Sequence, residues 1–233
     1  MSESSPAIII NKFGIKEADL ILTLLTKNFG KIKTILHGGR GTSRRFSGHP
    51  DIFDCGIIEL TPPRTNSNLY TVHTFSKKVA WETLRKDIAR FALASFCLEA
   101  CHLFSLEGEP ETIKFFNPLY HALNNLNKED LSLTQYSCAV IFFFLTILKI
   151  SGFNPVNAQY SPYNVQSPEY DKSTLEADVR IWLNKMLEED SPILFDNLTL
   201  ITAAFSFLVG FTENVLEKRL KTAPDLFLIL KHA

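Results

Sequence analysis

Apolar residues recur with a strand-like spacing up to about residue 80 and with a helical spacing after it. In the first part, short apolar or alternating runs bounded by turn residues predict five strands: Ala7–Phe13, Ala18–Thr26, Ile32–His37, Ile52–Leu60 and Leu69–Phe75. Asn28-Phe29-Gly30-Lys31 predicts a hairpin turn. The second run is apolar throughout, so periodicity alone leaves a short helix open there. Five short strands with glycine-bearing connections favour a small closed barrel.

From Trp81 onward the spacing of apolar residues is helical. It predicts helices over Trp81–Leu106, Glu111–Leu126, Ser132–Ile150, Thr174–Leu187 and Leu198–Leu220. Ser173 with Glu176 indicates a capping box, and Gly152 is suited to the position after the third helix. The most apolar stretches, Cys138–Leu148 and Leu198–Phe211, are shorter than the roughly 20 residues that span a bilayer. We interpret them as buried core helices.

The expected fold class is therefore α+β, with a β-barrel domain at residues 1–80 and an all-α domain at residues 81–233. A long loop without periodicity, at residues 154–170, interrupts the helical domain. The start of the chain has no basic segment followed by an apolar one, so we expect no secretory signal. Because the apolar runs are short and the four cysteines are expected to be reduced, we expect a cytoplasmic protein without membrane association.

Charge is distributed unevenly along the chain. Residues 1–90 hold 14 Lys and Arg against 8 Asp and Glu, whereas residues 91–233 hold 10 against 17. Net charges of +6 and −7 suggest a basic half that faces a polyanion and an acidic half that faces something else. Chance segregation of solvated surface charge is the alternative.

The segment His37-Gly38-Gly39-Arg40-Gly41 invites comparison with catalytic loops, but its context excludes them. A hydrolase also needs a G-x-S-x-G nucleophile elbow, and a P-loop needs Gly-Lys-Ser/Thr after its glycines; the sequence has neither. No H-E-x-x-H is present, and nothing assembles a catalytic constellation. Cys55, Cys97, Cys101 and Cys138 form no C-x-x-C pair, so we expect buried, reduced cysteines, no metal and no cofactor.

A phosphate-contacting surface is the remaining interpretation of the basic segment. Arginine offers bidentate geometry to phosphate, and glycines let backbone amides approach it. The candidate DNA-binding residues are Lys27, Lys31, Lys33, Arg40, Arg44, Arg45 and Arg64. The candidate stacking platforms are Phe29, Phe46, Phe53, Tyr70 and Phe75. A basic groove with aromatic platforms is how OB barrels bind single strands. Burial in the barrel is the alternative for each aromatic ring, and an exposed turn is the alternative for the arginines.

At these residues the chain resembles the RecO family of bacterial recombination and DNA-repair proteins. The resemblance runs from Glu17 through Thr26–Lys31, Gly38-Gly39-Arg40, Ser43-Arg44 and Phe53 to Phe91–Glu99, Phe115, Leu119, Ile147–Pro155 and Leu216–Thr222. It implies an N-terminal OB-fold barrel, an all-α C-terminal domain and a nucleoid-associated protein without enzymatic turnover. The implied function is to bind single- and double-stranded DNA, anneal complementary strands and, with RecR, load a recombinase onto DNA coated by single-strand-binding protein (SSB).

The resemblance also implies a pocket for the acidic C-terminal tail of SSB. Its candidate residues here are Leu216, Lys218, Arg219, Leu220 and Lys221, for which a solvated last helical turn is the alternative. Many family members carry a four-cysteine zinc site after G-F-x-P, but residues 156–163 contain no cysteine, so we expect a degenerate or absent zinc module. A protein-interaction adaptor with little DNA binding of its own is the alternative function.

Overall fold

The structure is a computed structural model. It describes residues 2–15, 17–41, 48–63, 68–157 and 172–232, but not the side chains of residues 172 and 173. The chain divides into two compact units. The first consists of Met1–Glu82 with Cys101–Leu123, and the second of Thr83–Ala100 with Asn124–Ala233. The 22 residues that follow Cys101 thus join the barrel unit although they lie beyond the predicted barrel in sequence.

The barrel of the first unit consists of five strands. They are β1 (Glu3–Ile15), β2 (Asp19–Thr26), β3 (Gly30–Leu36), β4 (Cys55–Thr61) and β5 (Tyr70–Val79). They close in the order β1-β2-β3-β5-β4; β3 and β5 are parallel, and the other pairs are antiparallel. The sheet is thus a closed five-stranded OB-like barrel, and the predicted fold class is confirmed.

Alternating side chains of the strands fill the barrel. Leu20, Leu22 and Leu24 of β2 point into the core cluster, which also contains Ile9 of β1 and Phe75 of β5. The other face of β2 is buried as well, which explains why this run is apolar throughout and gave no clear period. The helix left open for Ala18–Thr26 is therefore excluded.

Two glycines permit close contacts in this unit. Gly30 begins β3 with a φ of +65°, and a Cβ there would lie 1.9 Å from Oγ1 of Thr112. Gly56 of β4 faces the backbone of β5, where a Cβ would lie 2.3 Å from the carbonyl oxygen of Ser76. The predicted hairpin at Gly30 is confirmed by the pairing of Thr26 with Gly30. β4 begins at Cys55 rather than at Ile52, because Phe53 adopts a left-handed φ of +68° that breaks the strand.

Six α-helices follow in the described residues. They are α1 (Ile88–Phe104), α2 (Phe116–Leu126), α3 (Leu133–Ile150), α4 (Lys172–Glu189), α5 (Leu198–Leu216) and α6 (Ala223–Lys231). The helix predicted from Trp81 is wrong in its first turns: a 3-10 turn, Glu82–Arg85, comes first. Asp87 then caps α1, since its Oδ1 accepts from the backbone N–H of Arg90 at 3.0 Å. A 3-10 segment, Pro110–Phe115, precedes α2.

Helix ends follow local chemistry. Ser132 and Gln135 form a reciprocal capping box at the start of α3. At its end Gly152 adopts a φ of +82°, and Phe153 N–H donates to Leu148 C=O at 2.9 Å, so the predicted glycine termination is confirmed as a Schellman motif. α4 begins at Lys172, before the Ser173 predicted as its cap.

The C-terminal helix was predicted to run unbroken to Leu220, and that prediction is wrong. α5 ends at Leu216, where Glu217 takes a left-handed φ of +52°. A separate helix, α6, starts at Ala223 with Pro224 in its first turn, a position that proline favours because the missing N–H has no helical partner there. The sequence signal for α6 is thus Thr222-Ala223-Pro224.

Aromatic rings form the centre of the second unit. Phe96 of α1 contacts Phe144 of α3 and Phe205 of α5 edge-to-face, with ring centroids 4.9 and 5.7 Å apart. By length and composition α3 and α5 could cross a membrane, but more than half of each is buried within this structure, and a core helix passes the same test. Their aromatic faces are the core that the sequence predicted.

We expect Phe144→Ala to lower the free energy of unfolding by about 3 to 5 kcal/mol, because it removes a fully buried ring from this cluster. Phe142→Ala, on the same helix but half-buried, is the matched control and should cost clearly less. Urea denaturation followed by circular dichroism measures both. Equal losses would contradict the placement of Phe144 at the centre of the core.

Candidate nucleic-acid interface

The loop after β3 is anchored by one carboxylate. Asp19 accepts from the backbone N–H of Gly38 at 3.0 Å and contacts Nδ1 of His37 at 3.0 Å, and the N–H of Arg40 donates to Ala18 C=O at 3.0 Å. The N–H of Gly41 donates to Gly38 C=O. Three amides that could have approached a phosphate are therefore engaged within the protein. In the described part of this loop, residues 37–41, the exposed guanidinium of Arg40, which lies against Gly14, can reach a phosphate.

The three lysines of the hairpin have different environments. Lys27 is exposed at the end of β2. Lys31 is only 6% exposed, and its ammonium donates to the carbonyl oxygens of His102 and Ser105 at 2.6 and 2.7 Å. Carbonyls at the end of a helix lack helical partners and carry partial negative charge, so they suit a buried cation. Lys31 thus holds the end of α1 to β3, and its predicted contact with phosphate is replaced by this structural one.

Lys33 is exposed but paired. Its Nζ lies 2.8 Å from Oε1 of Glu107, with side chains 46% and 35% exposed. An ion pair at such exposure is weak, on the order of 1 kcal/mol or less, but its carboxylate repels a phosphate that approaches the lysine. Glu107 and Glu109 were not among the predicted site residues. In the sequence, the feature that could have indicated them is the acidic turn Glu107-Gly108-Glu109-Pro110-Glu111.

The barrel places the predicted cations in separate groups. Lys27 precedes β3 and Arg40 follows it, so the seven-residue strand sets them on the order of 20 Å apart. Arg44 and Arg45, in residues 42–47, and Arg64, in residues 64–67, lie outside the described residues. Their roles stay predictions.

The aromatic candidates also separate. Phe53 and Phe75 are buried, as the alternative interpretation allowed, and Phe46 lies outside the described residues. Phe29 and Tyr70 are half-buried, with ring centroids 6.3 Å apart and planes inclined at 33°. They pack against the barrel core on one side. Together with Pro63 and the turn around Glu107 and Glu109, they line a groove of about 520 Å³. This volume is within the range of small-molecule sites.

The added segment changes the charge of the barrel unit. Residues 1–82 with 101–123 carry 12 Lys and Arg and 10 Asp and Glu, a net charge of +2. The second unit carries 12 and 15, a net charge of −3. The difference in net charge between the two units is therefore much smaller than the difference between the two halves of the sequence. Any attraction for a polyanion has to come from local groups such as Arg40.

Four of the five predicted SSB-tail residues lie in the turn between α5 and α6, and the fifth, Leu216, ends α5. Lys218, Arg219 and Lys221 are exposed, Leu216 is half-buried and Leu220 is buried. The carboxylate of Glu99 shapes this turn. It accepts from the N–H groups of Lys221 and Thr222 at 2.8 Å each and from the Thr222 hydroxyl at 2.6 Å. The cationic turn is therefore rigidly presented, through a partner that the sequence did not indicate.

The four cysteines are buried and free. Burial, reinforced by neighbouring Asp54, raises the pKa of Cys55 to about 12, and burial also raises the pKa of Cys101 and Cys138, so these thiols are neutral at pH 7. Within the described ranges, no group of three or more His, Cys, Asp or Glu side chains could hold a metal ion. Most of the 154–170 loop, where zinc loss was predicted, lies outside those ranges.

The closed five-stranded barrel, with half-buried aromatic rings beside a groove and cations on its loops, defines a protein of the OB-fold class. Residues 1–77 match the family described as "Recombination protein O N terminal". The match covers the barrel strands up to residue 77, and the resemblance of the chain to RecO proteins is confirmed.

Curated relatives agree. The "DNA repair protein RecO" of Alkaliphilus metalliredigens is 31% identical over 144 residues, which is 62% of this chain and 55% of that protein. Those of Syntrophus aciditrophicus and Chlorobium phaeobacteroides are 25% and 28% identical over 66% of this chain, and over 57% and 58% of the respective proteins. The matched stretch thus spans little more than half the length of these relatives.

We expect Lys31→Met to destabilise the protein by about 2 kcal/mol or more, because two buried carbonyls lose their donor. Lys33→Met, two residues along the same strand, removes the same charge from an exposed pair and should cost about 1 kcal/mol or less. Urea denaturation of the two variants measures the difference. An unchanged stability of Lys31→Met would show that this ammonium is not the anchor of the segment.

Proposed function

We propose that this chain is a DNA repair and recombination mediator that binds single- and double-stranded DNA and anneals complementary strands. In this proposal it also helps to load a recombinase onto SSB-coated DNA, with RecR and the C-terminal tail of SSB as partners. It acts by binding, without cofactor, membrane or catalytic turnover, on the nucleoid in the bacterial cytoplasm. The observation that carries the proposal is a RecO-family OB-like barrel with Arg40 exposed on a carboxylate-anchored loop.

The spacing of the cations supports a backbone-tracking interface. Lys27 and Arg40 stand on the order of 20 Å apart along β3. Single-stranded DNA extends about 3.4 Å per nucleotide in a stacked conformation, so roughly six nucleotides span the two residues. OB folds occupy about 4 to 16 nucleotides. A strand that follows β3 from one loop to the other would also pass the half-buried rings of Phe29 and Tyr70.

We expect Arg40→Ala to weaken binding of a fluorescent single strand and to lower the slope of log affinity against log salt by about 0.7, the value for one phosphate contact. Lys78→Ala removes one charge from an exposed position on β5 of the same barrel and should leave the slope unchanged. The effect should be similar for unrelated sequences, because phosphate contacts carry no sequence information. Affinity that is absent at low salt, or indifferent to salt, would refute the proposed function.

A second candidate function is a protein-interaction adaptor with little DNA binding of its own. Three observations favour it: Lys31 is occupied by carbonyls, the barrel unit has a net charge of only +2, and Glu99 holds the cationic turn in place. In this case the turn between α5 and α6 would be the principal site, and its partner would be the SSB tail.

The two functions differ in strand annealing. The mediator should anneal complementary oligonucleotides with and without SSB, whereas the adaptor should bind a fluorescent SSB-tail peptide and fail to anneal. In both cases replacing Lys218, Arg219 and Lys221 by Ala should weaken peptide binding about tenfold or more, because exposed cations pair with the acidic tail. Lys231→Ala, an exposed lysine of α6, is the control. Peptide binding indifferent to the triple substitution would exclude this turn as the tail site.

A further inference from the structure

The groove beside Phe29 and Tyr70 differs in chemistry from a phosphate-binding surface. One wall is aromatic and apolar, formed by these two rings and Pro63. The other wall is the turn that contains Glu107 and Glu109, with the exposed Ile113 of the following 3-10 segment at the rim. All of these residues belong to the barrel unit.

Both walls are held in place before any ligand arrives. The rings pack against the barrel core. The acidic turn is tied to β3 by the buried ammonium of Lys31 and by the Lys31 N–H, which donates to Oγ1 of Thr112 at 3.0 Å. Thr112 in turn donates through its N–H and hydroxyl to Glu109 C=O, at 3.1 and 2.7 Å. A preorganised site loses less entropy on binding.

Among the described residues that line the groove, the charges disfavour a phosphate. Lys31 is engaged with carbonyls and Lys33 is paired with Glu107, which leaves Glu109 as a further negative charge. Carboxylates repel phosphate but accept hydrogen bonds from exocyclic amino groups of bases. Half-exposed aromatic rings provide stacking surfaces for an unstacked base. Stacking rings beside carboxylates thus fit a nucleobase, whereas the carboxylates repel the phosphate of the same nucleotide.

We infer that this groove binds a single unstacked nucleobase that carries an exocyclic amino group: cytosine, adenine or guanine in preference to thymine. The rings of Phe29 and Tyr70 stack on the base, and Glu107 and Glu109 accept from its amino group. The sugar and phosphate stay outside, near exposed Lys27. The inference rests on the proposed function in that the base is presented by a bound single strand, and it adds a composition preference that phosphate contacts cannot provide.

The test compares oligo-dC with oligo-dT of equal length at pH 7.5 and moderate salt, by competition against a fluorescent strand. Cytosine has an amino donor where thymine has a carbonyl acceptor, and thymine also carries a C5-methyl group. The protein should bind oligo-dC about fivefold or more tightly than oligo-dT. Glu107→Gln with Glu109→Gln should bring the ratio close to one, since an amide can also donate to the thymine carbonyl.

The control is Glu111→Gln, which removes the same charge from an exposed residue of the same segment that pairs with Lys114. It should keep the dC preference, and folding of all variants is checked by circular dichroism. Equal binding of the two oligonucleotides by the unmodified protein, or a preference that survives the double substitution, would overturn the base site while leaving the mediator function standing. Absence of binding to either oligonucleotide at low salt would overturn both.

Discussion

The ammonium group of Lys31, buried against the carbonyls that end α1, determines how the barrel unit is completed. A buried cation without partners would be costly, so the lysine requires these acceptors and the acceptors require the lysine. Gly30 lacks a Cβ, which allows Thr112 to approach the strand closely, and the Lys31 N–H donates to its hydroxyl. Residues 101–123 therefore belong with the barrel in space, although most of them are helical.

This anchoring also changes the net charge of the barrel unit, which the sequence alone indicated to be strongly basic. It brings three glutamates between residues 107 and 111 to the surface beside β3, and one of them pairs with Lys33. The strand face thus becomes mixed in charge, and the described candidate cations that remain available, Lys27 and Arg40, are on loops. The proposed interface would separate two tasks, in which loop cations attract the DNA backbone and the aromatic groove discriminates among bases.

Carboxylates play a similar organising role elsewhere in the molecule. Asp19 anchors the loop that presents Arg40, and Glu99 anchors the turn that presents Lys218, Arg219 and Lys221. In both places the acid satisfies backbone amides, and the neighbouring cations are exposed on a fixed backbone. Preorganised cations of this kind lose less freedom when an anionic partner binds.

The amino-acid sequence by itself determined the five strands, most of the helices and the glycine end of α3, because alternation, helical spacing and capping act between residues close in the chain. The RecO-like motifs indicated the resemblance that the match over residues 1–77 confirms. Only the tertiary structure decided which cations are available, since Lys31 meets its carbonyls across 71 and 74 residues and Glu99 meets Lys221 across 122. No local pattern encodes such pairings: they arise when the packed elements bring a buried charge to the acceptors that it needs.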